Sequence, residues 1–223
     1  CEHDTRRVTR REYDGRWTVL ADTYEGKPLN APNDAAVHAD GSVWFTDPGY
    51  GILWPYEGHA ATPEQPNRVY RVDGATDRIS AVADGPMHRP NGICFSPDYD
   101  KVYIVDSGAS DGPQYAANII EFDVSPDGAM ATSPRVLADF APGFTDGIRC
   151  DTDGNLWCSW GWGGPDTNGV RVHAPDGTLL ACLHMPEVIG NLCFGGAKKN
   201  RLFMAGSTSI YSIYVNAVGA AMN

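Results

Sequence analysis

The fold is decided by residues 88–107, HRPNGICFSPDYDKVYIVDS. This stretch begins as a polar loop, continues into an apolar segment at Ile93–Phe95 and turns at Ser96–Asp100. It ends in Lys101–Ser107, which is rich in β-branched and aromatic residues. Pro, Asp and Tyr between two such segments are typical of a tight turn, and the segments themselves favour β-strands. The stretch therefore predicts a β-hairpin whose first strand starts just after Asn91.

The same hairpin pattern recurs along the chain. Its copies begin at residues 33, 91, 146 and 191, which are 58, 55 and 45 residues apart, and each has an Asn or Asp just before its first strand. A third and a fourth strand follow in these units, for example at Arg68–Val72 and Ile79–Ala83. Four strands in a unit, repeated at roughly the 40–50 residues of a propeller repeat, predict the blades of a β-propeller.

The chain is predicted to be all-β. No segment of helical length keeps a 3.6-residue apolar period, and Asp-Gly pairs that suit tight turns separate the predicted strands. Residues 1–223 are expected to form a single propeller domain. Because Cys1–Asp4 resembles the end of a strand, the domain is expected to begin in mid-sheet. The repeat count then predicts a six-bladed β-propeller with the first blade and a half missing from this chain.

Composition limits the classes of partner. The formal net charge is −11 over 223 residues, which argues against nucleic acid or an anionic membrane, since both repel an acidic surface. No run of eighteen apolar residues is present, so no membrane span is predicted. The six cysteines form no CxxC pair and are expected to be buried free thiols. A soluble protein of the cytoplasm or the periplasm is expected, without a choice between the two.

The residues at the start of each repeat suggest a cation site. The first strand of a propeller blade lines the central channel, so Asn33, Asn91, Asp146 and Asn191 are expected to converge at one mouth of that channel. They offer amide and carboxylate oxygens, which suit a hard cation such as calcium better than zinc. The alternative is that Asn and Asp are simply favoured in turns, although four in register weaken this explanation.

Several motifs together resemble the SMP-30/gluconolactonase/LRE-like family, which includes senescence marker protein (regucalcin) and the bacterial gluconolactonases. The motifs are LNAPND at 29–34, RPNG at 89–92, TDG at 145–147, DGNLW at 153–157, PEV at 186–188 and NLCFGG at 191–196. The opening CEH at 1–3 with RRV at 6–8 resembles the bacterial gluconolactonase branch in particular. The resemblance runs through essentially the whole chain.

This resemblance implies a six-bladed propeller that hydrolyses a small-molecule sugar lactone with one divalent metal ion, usually calcium, with zinc, magnesium or manganese as alternatives. Asn91 and Asp146 match two of the family's three metal ligands, Asp146 also matches the catalytic acid/base, and Asn33 matches a substrate-binding residue. The third ligand, a Glu of the first blade, is not in this sequence. Ala31 stands where the family has a substrate-contacting Arg.

Other candidates for contact with substrate are less specific. Glu64 could match a substrate-contacting acid of the family, and Asn191 is a substrate-binding candidate by its register with Asn33. His88, with His3 and His184, is a candidate helper at the same mouth. Two loops rich in aromatic residues, 48–58 and 159–164, are each either a wall of the site or ordinary packing.

The sequence leaves three functions to compare. A calcium-dependent lactonase is favoured. A related propeller hydrolase acting on another ester or on an organophosphate is the nearest rival among enzymes, and a non-catalytic propeller that binds calcium or a partner is the second class. A serine hydrolase has no support, because the chain contains no Gly-x-Ser-x-Gly motif.

Overall fold

The computed structural model describes residues 1–83 and 87–220. This part of the chain contains nineteen strands, with short 3-10 helices at Tyr50–Ile52, Gly108–Asp111 and Pro165–Thr167. Within these residues no helix has the length and apolar character needed to cross a membrane. The prediction of an all-β chain is confirmed.

The strands form four blades in sequence, preceded by two small ribbons. The ribbons pair β1 (Val8–Arg11) with β2 (Trp17–Ala21) and β3 (Thr23–Tyr24) with β4 (Lys27–Pro28). The first blade is β5 (Ala35–Val37), β6 (Val43–Asp47), β7 (Arg68–Val72) and β8 (Ile79–Ala83). The second is β9 (Pro90–Phe95), β10 (Lys101–Asp106), β11 (Asn118–Val124) and β12 (Ala131–Asp139). The third is β13 (Ile148–Cys150), β14 (Leu156–Trp160), β15 (Gly169–His173) and β16 (Leu179–His184). The fourth has three strands, β17 (Ile189–Gly195), β18 (Arg201–Gly206) and β19 (Ile210–Tyr214).

Each predicted hairpin is therefore the inner half of a blade, and all neighbouring strands within a blade are antiparallel.

The expectation for the N-terminus was wrong in one detail. Residues 3–6 form a turn rather than the end of a strand, and a single bridge joins Glu2 to Arg7.

The first strands of successive blades lie side by side. Strand β9 contacts β5 and β13, and β13 contacts β17. Because these strands run in the same direction away from the Asn or Asp that precedes them, the four starts gather at one end. Residues farther along the same strands, among them Val37, Phe95 and Cys150, line a cavity of about 200 Å³. The inner strands thus enclose a channel, as predicted.

The core lies between blades because the second strands of the first three blades, β6, β10 and β14, are buried on both faces. In β10, Val102 and Ile104 pack toward the first blade with Trp44, whereas Tyr103 and Val105 pack toward the third blade. This alternation follows from the two-residue period of a strand. A strand covered on both faces is apolar throughout, and that is the pattern of the KVYIV run.

The cysteines were predicted only in part. All six are free in the described chain, as expected. Cys94, Cys150 and Cys158 are buried, but Cys1, Cys182 and Cys193 are exposed, so the expectation that the thiols are buried was wrong for these three. Cys182 lies on β16, an outer strand whose residues are mostly exposed, and Cys193 lies at an exposed position of β17.

Two glycines set how closely the blades approach at the channel. A Cβ atom at Gly92 would overlap the backbone oxygen of Asp146, and one at Gly147 would overlap the side chain of Asn191. Gly92 directly follows Asn91, and Gly147 directly follows Asp146. These Asn-Gly and Asp-Gly pairs therefore allow close packing between blades. At these two positions the backbone is not in the left-handed region.

We expect Gly92→Ala to destabilise the chain by about 1–3 kcal/mol, because the added methyl group overpacks a contact with backbone. Gly190→Ala is the matched control on the same ring of strands, since its Cβ would have Asp146 Oδ2 as nearest neighbour at 3.7 Å. Urea denaturation of the two variants measures the difference. Equal midpoints would contradict the close-packing explanation.

Candidate functional site at the channel mouth

Two buried carboxylates fix the loops that enter the first and second blades. Asp47, at the end of β6, accepts hydrogen bonds from the backbone N–H groups of Asn30 at 2.8 Å and Ala31 at 2.5 Å. Asp106, at the end of β10, accepts from the N–H groups of His88 at 2.9 Å and Arg89 at 2.8 Å. Both carboxylates are almost fully buried. Each therefore holds the segment just before the Asn of its own blade.

Three fully buried hydroxyl groups support the mouth residues themselves. Thr46 accepts from the N–H of Asp34 at 3.2 Å and donates to the backbone carbonyl of Asn91 at 2.7 Å. Ser107 accepts from Nδ2 of Asn91 at 2.8 Å. Ser159 accepts from the N–H of Asp146 at 3.1 Å. These bonds join the mouth residues to the rigid second strands behind them.

The residues predicted from register do meet at one mouth. An open cavity of about 650 Å³ is lined by Asn33, Asp146 and Asn191. Asn91 lies beneath it with 4% of its surface exposed, and its amide interacts with Asp146. The side-chain oxygen of Asn191 is turned back onto the N–H of Leu192 at 2.8 Å.

The mouth is strongly acidic. Burial, together with the charges of Asp34 and Glu57, raises the pKa of Asp146 to about 7, against a hydrogen bond from Asn91 that lowers it. Arg149 lies 3.4 Å from Asp34 and pairs with it across the channel from the third blade to the first. Like charges that raise a carboxyl pKa are relieved by a nearby cation. The mouth therefore favours binding of a positive charge.

One buried oxygen is left without a partner at this place. Oδ1 of Asn91 is inaccessible to solvent and has no hydrogen-bond partner among the described residues. A buried amide oxygen usually has one, and its absence costs about 1–3 kcal/mol. With Asp146, it forms a pair of hard oxygen donors. Within residues 1–83 and 87–220, no group of three His, Cys, Asp or Glu side chains is arranged to hold a metal ion.

The structure adds Glu57, which the sequence did not single out, and brings the candidate His3 to the same place. Glu57 and His3 both line the mouth cavity, and His3 Nδ1 lies 3.2 Å from Glu57 Oε2. Glu57 belongs to the long loop 48–58, whose length was the available signal. His3 was a candidate only as one of several loop histidines.

The two loops rich in aromatic residues, 48–58 and 159–164, differ in whether their aromatic side chains line the mouth. Trp162 lines the mouth and stacks on Phe144, with ring centroids 4.6 Å apart and planes nearly parallel. Trp160 is buried between blades, beneath the guanidinium of Arg171. Trp54 and Tyr56, in the loop 48–58, are exposed and do not line the mouth.

Three candidates lie away from the mouth cavity. His88 binds Asp111 at 2.7 Å and stacks on Tyr115. Glu64 is exposed and does not line the cavity, where Glu57 of the same connection lies instead. His184 is exposed at the end of β16, an outer strand. The register of the inner strands brought Asn33, Asp146 and Asn191 to one cavity, and the loop candidate His3 also lines it, whereas His88, Glu64 and His184 do not.

Blades around a channel define a β-propeller, and the amides and carboxylates gathered at one mouth form its candidate site. The sequence matches the SMP-30/gluconolactonase/LRE-like family over residues 1–208. The chain belongs to this family, as the sequence motifs predicted.

Similar proteins are lactone hydrolases by name. A gluconolactonase of Zymomonas mobilis is 31% identical over 214 residues, which cover 91% of this chain and 55% of that protein. A lactonohydrolase of Aspergillus oryzae is 28% identical, with 89% of this chain and 47% of that protein covered. The structure of a gluconolactonase from Xanthomonas campestris superposes with a TM-score of 0.84 at 34% identity, covering 96% of this chain and 67% of that one. The chain spans about half the length of the curated relatives it matches.

The buried carboxyl of Asp47 leads to a pH-dependent prediction. Burial raises its pKa from 3.8 to about 6, against the N–H groups of Asn30 and Ala31 and the charge of Arg6, which lower it. The folded state therefore binds this proton more tightly than the unfolded chain does. The stability that results is present below about pH 4 and is lost as the pH rises through about 6.

We expect Asp47→Asn, which cannot ionise, to become more stable relative to the parent chain by about 2–3 kcal/mol between pH 4 and pH 7. Urea denaturation of both proteins at several pH values measures this change. Asp22→Asn, at an exposed position, is the control. A constant difference between parent and Asp47→Asn across the range would contradict the prediction.

Proposed function

We propose that this chain belongs to a metal-dependent lactonase that opens a sugar lactone to the aldonate, and that residues 1–223 are part of a single six-bladed propeller domain. The observation that carries the proposal is the buried, unpartnered Oδ1 of Asn91 beside Asp146 at an acidic mouth. Lactone hydrolysis is the activity named for the relatives from Zymomonas mobilis and Aspergillus oryzae.

The donors at the mouth fit a divalent metal ion. Asn91 Oδ1 and the Asp146 carboxylate would hold it, and both are the hard oxygen ligands that calcium prefers, with magnesium, manganese or zinc as alternatives. A similar protein from Danio rerio is named regucalcin. When bound, the metal supplies positive charge that polarises the lactone carbonyl and stabilises negative charge on its oxygen.

Asp146 is the proposed acid/base. A pKa near neutrality suits a group that must accept a proton and then return it. Asp146 takes the proton of a water molecule as that water adds to the lactone carbonyl carbon. It then returns the proton to the ring oxygen as the acyl carbon–oxygen bond breaks, which leaves a carboxylic acid and a free hydroxyl group.

The remaining mouth residues are proposed to position the sugar. Asn33 and Asn191 offer amide groups at the cavity that Asp146 lines, and the His3–Glu57 pair offers a donor and an acceptor for ring hydroxyls. Trp162 presents an indole ring to the cavity against which the apolar face of a pyranose can lie. Ala31 is buried and places no charge there, in keeping with a neutral substrate.

We expect Asp146→Asn to lower kcat for hydrolysis of glucono-δ-lactone by at least about 100-fold, because it removes the proton acceptor. Asp166→Asn, at an exposed position on the same blade, should retain the parent rate. These rates refer to the full-length protein, whose activity should disappear with EDTA and return when calcium is restored. A pH-stat titration measures each rate, and circular dichroism checks that the variants are folded.

Normal turnover by folded Asp146→Asn would contradict the assignment. Metal binding without hydrolysis of any lactone would favour the non-catalytic propeller, and hydrolysis of an aryl ester or an organophosphate instead would favour the related hydrolase.

Asn33→Ala should mainly raise KM, by about 10-fold, since one hydrogen bond to the substrate is lost while the reacting groups stay in place. Steady-state kinetics over a range of lactone concentrations separates KM from kcat. Unchanged kinetics with a lowered melting temperature would instead assign Asn33 a structural role.

A further inference from the structure

We propose that the channel has a second binding site, for a small monocarboxylate with an apolar body, in the cavity of about 200 Å³ that lies away from the mouth. This lower cavity is lined by residues of all four inner strands, among them Val37 of β5, Phe95 of β9, Arg149 of β13 and Phe194 of β17. None of the residues that line it also lines the mouth cavity. The site is therefore separate from the one to which lactone hydrolysis is assigned.

The charge of the lower cavity is opposite to that of the chain. Its charged lining residues are Arg149 and Lys199, and no Asp or Glu of the described residues lines it. The whole chain carries a formal net charge of −11, and the mouth is acidic. In a protein with more acids than bases, a largely apolar cavity lined by two cations and no acid favours an anion.

One donor of the Arg149 guanidinium is unused. Its Nη1 donates to the backbone carbonyl of Ile148 at 2.6 Å and lies 3.4 Å from Oδ2 of Asp34. Its Nε is inaccessible to solvent and has no hydrogen-bond partner among the described residues. A buried donor without a partner is unfavourable. A carboxylate is the acceptor that suits it best, because its two oxygens match the fork of a guanidinium.

Asp34 leaves this donor available. Its carboxylate accepts hydrogen bonds from the backbone N–H groups of Ala35 at 2.9 Å and Ile93 at 3.2 Å. Both are shorter than its contact with Nη1 of Arg149, so Asp34 is held chiefly by backbone. Arg149 can keep this contact through Nη1 while Nε binds a second anion. Lys199, which is exposed beside the same cavity, adds a further positive charge.

The walls and the volume limit the body of the ligand. Ile93 and Phe95 are almost fully buried, and with Val37 and Phe194 they present aliphatic and aromatic surface to the cavity. An apolar cavity of about 150 Å³ is large enough for benzene, so a ring with one carboxyl group fits the lower cavity. A sugar acid does not, because its hydroxyl groups would lose their hydrogen bonds to water against these walls. Benzoate and hexanoate represent the class of ligand.

Isothermal titration calorimetry of the full-length protein with four small molecules tests the proposal. We expect benzoate and hexanoate each to bind at one site with a Kd of about 1 mM or lower. Benzamide has the same ring without the charge and should bind at least about 10-fold more weakly than benzoate. Gluconate should not bind to this site. Failure of both apolar acids to bind, or equal affinity for benzamide and benzoate, would overturn the proposal.

Substitutions test the two cations. Arg149→Met should weaken benzoate binding at least about 10-fold, because a hydrogen bond to a charged group is lost. Lys199→Met should weaken it about 3-fold, since this charge is exposed. Lys198→Met is the matched control, because Lys198 is an exposed neighbour that does not line the cavity, and it should bind as the parent does. Equal effects at 198 and 199 would contradict the site, and this comparison decides even if Arg149→Met does not fold.

A variant at the mouth tests the location. Trp162 lines the mouth cavity, where an aromatic acid could instead stack on its indole ring. Trp162→Ala should bind benzoate as tightly as the parent, and loss of binding in this variant would overturn the proposal by placing the acid at the mouth. None of these measurements follows hydrolysis, so their outcome is independent of whether the protein is a lactonase.

Discussion

The mouth of the channel depends on two buried carboxylates, Asp47 and Asp106, that are held by backbone N–H groups. Asp47 and Asp106 each lie at the end of a second strand and accept hydrogen bonds from backbone N–H groups of the segment that precedes the inner strand of the same blade. Burying a charge in this way is costly unless its hydrogen bonds are complete. If one of these loops moved away, its carboxylate would stay buried without hydrogen-bond partners. The segments that end in Asn33 and Asn91 are therefore fixed against their own blades.

The third blade has no carboxylate at this place, because β14 ends in Trp160. Asp146 is held through its backbone by Ser159, and its own carboxyl is left facing the channel among Asp34 and Glu57. In the first two blades Asp47 and Asp106 thus hold loops in place, whereas in the third blade the carboxyl group of Asp146 faces the channel. Of the residues in equivalent register, Asp146 is therefore the one with a carboxyl group at the channel that can serve as the proposed acid/base.

The sequence was sufficient to predict the parts of the molecule that depend on strand periodicity and on the length of the repeat. The hairpin at residues 88–107 predicted the blade, and the spacing of Asn33, Asn91 and Asp146 predicted their convergence, because both depend only on strand periodicity and repeat length. Glu57 and His3 were not predicted as a pair, because their meeting depends on how the loop 48–58 folds onto the N-terminal turn, where Gly51 packs against His3. Glu64 lies in the same connection and is exposed, and no local pattern distinguishes the two acids.

The tight contacts at Gly92 and Gly147 also bear on how the chain folds. The mouth residues come from four blades and are spread from residue 33 to residue 191, so no single blade contains a site. Contacts between residues so distant in sequence form slowly, since the intervening chain must first be ordered. The proposed metal-binding pair, Asn91 and Asp146, comes together only once the second blade has docked on the third through Gly92. Cation affinity would consequently appear late in refolding, after strand formation within each blade, and would report the docking of blades rather than their formation.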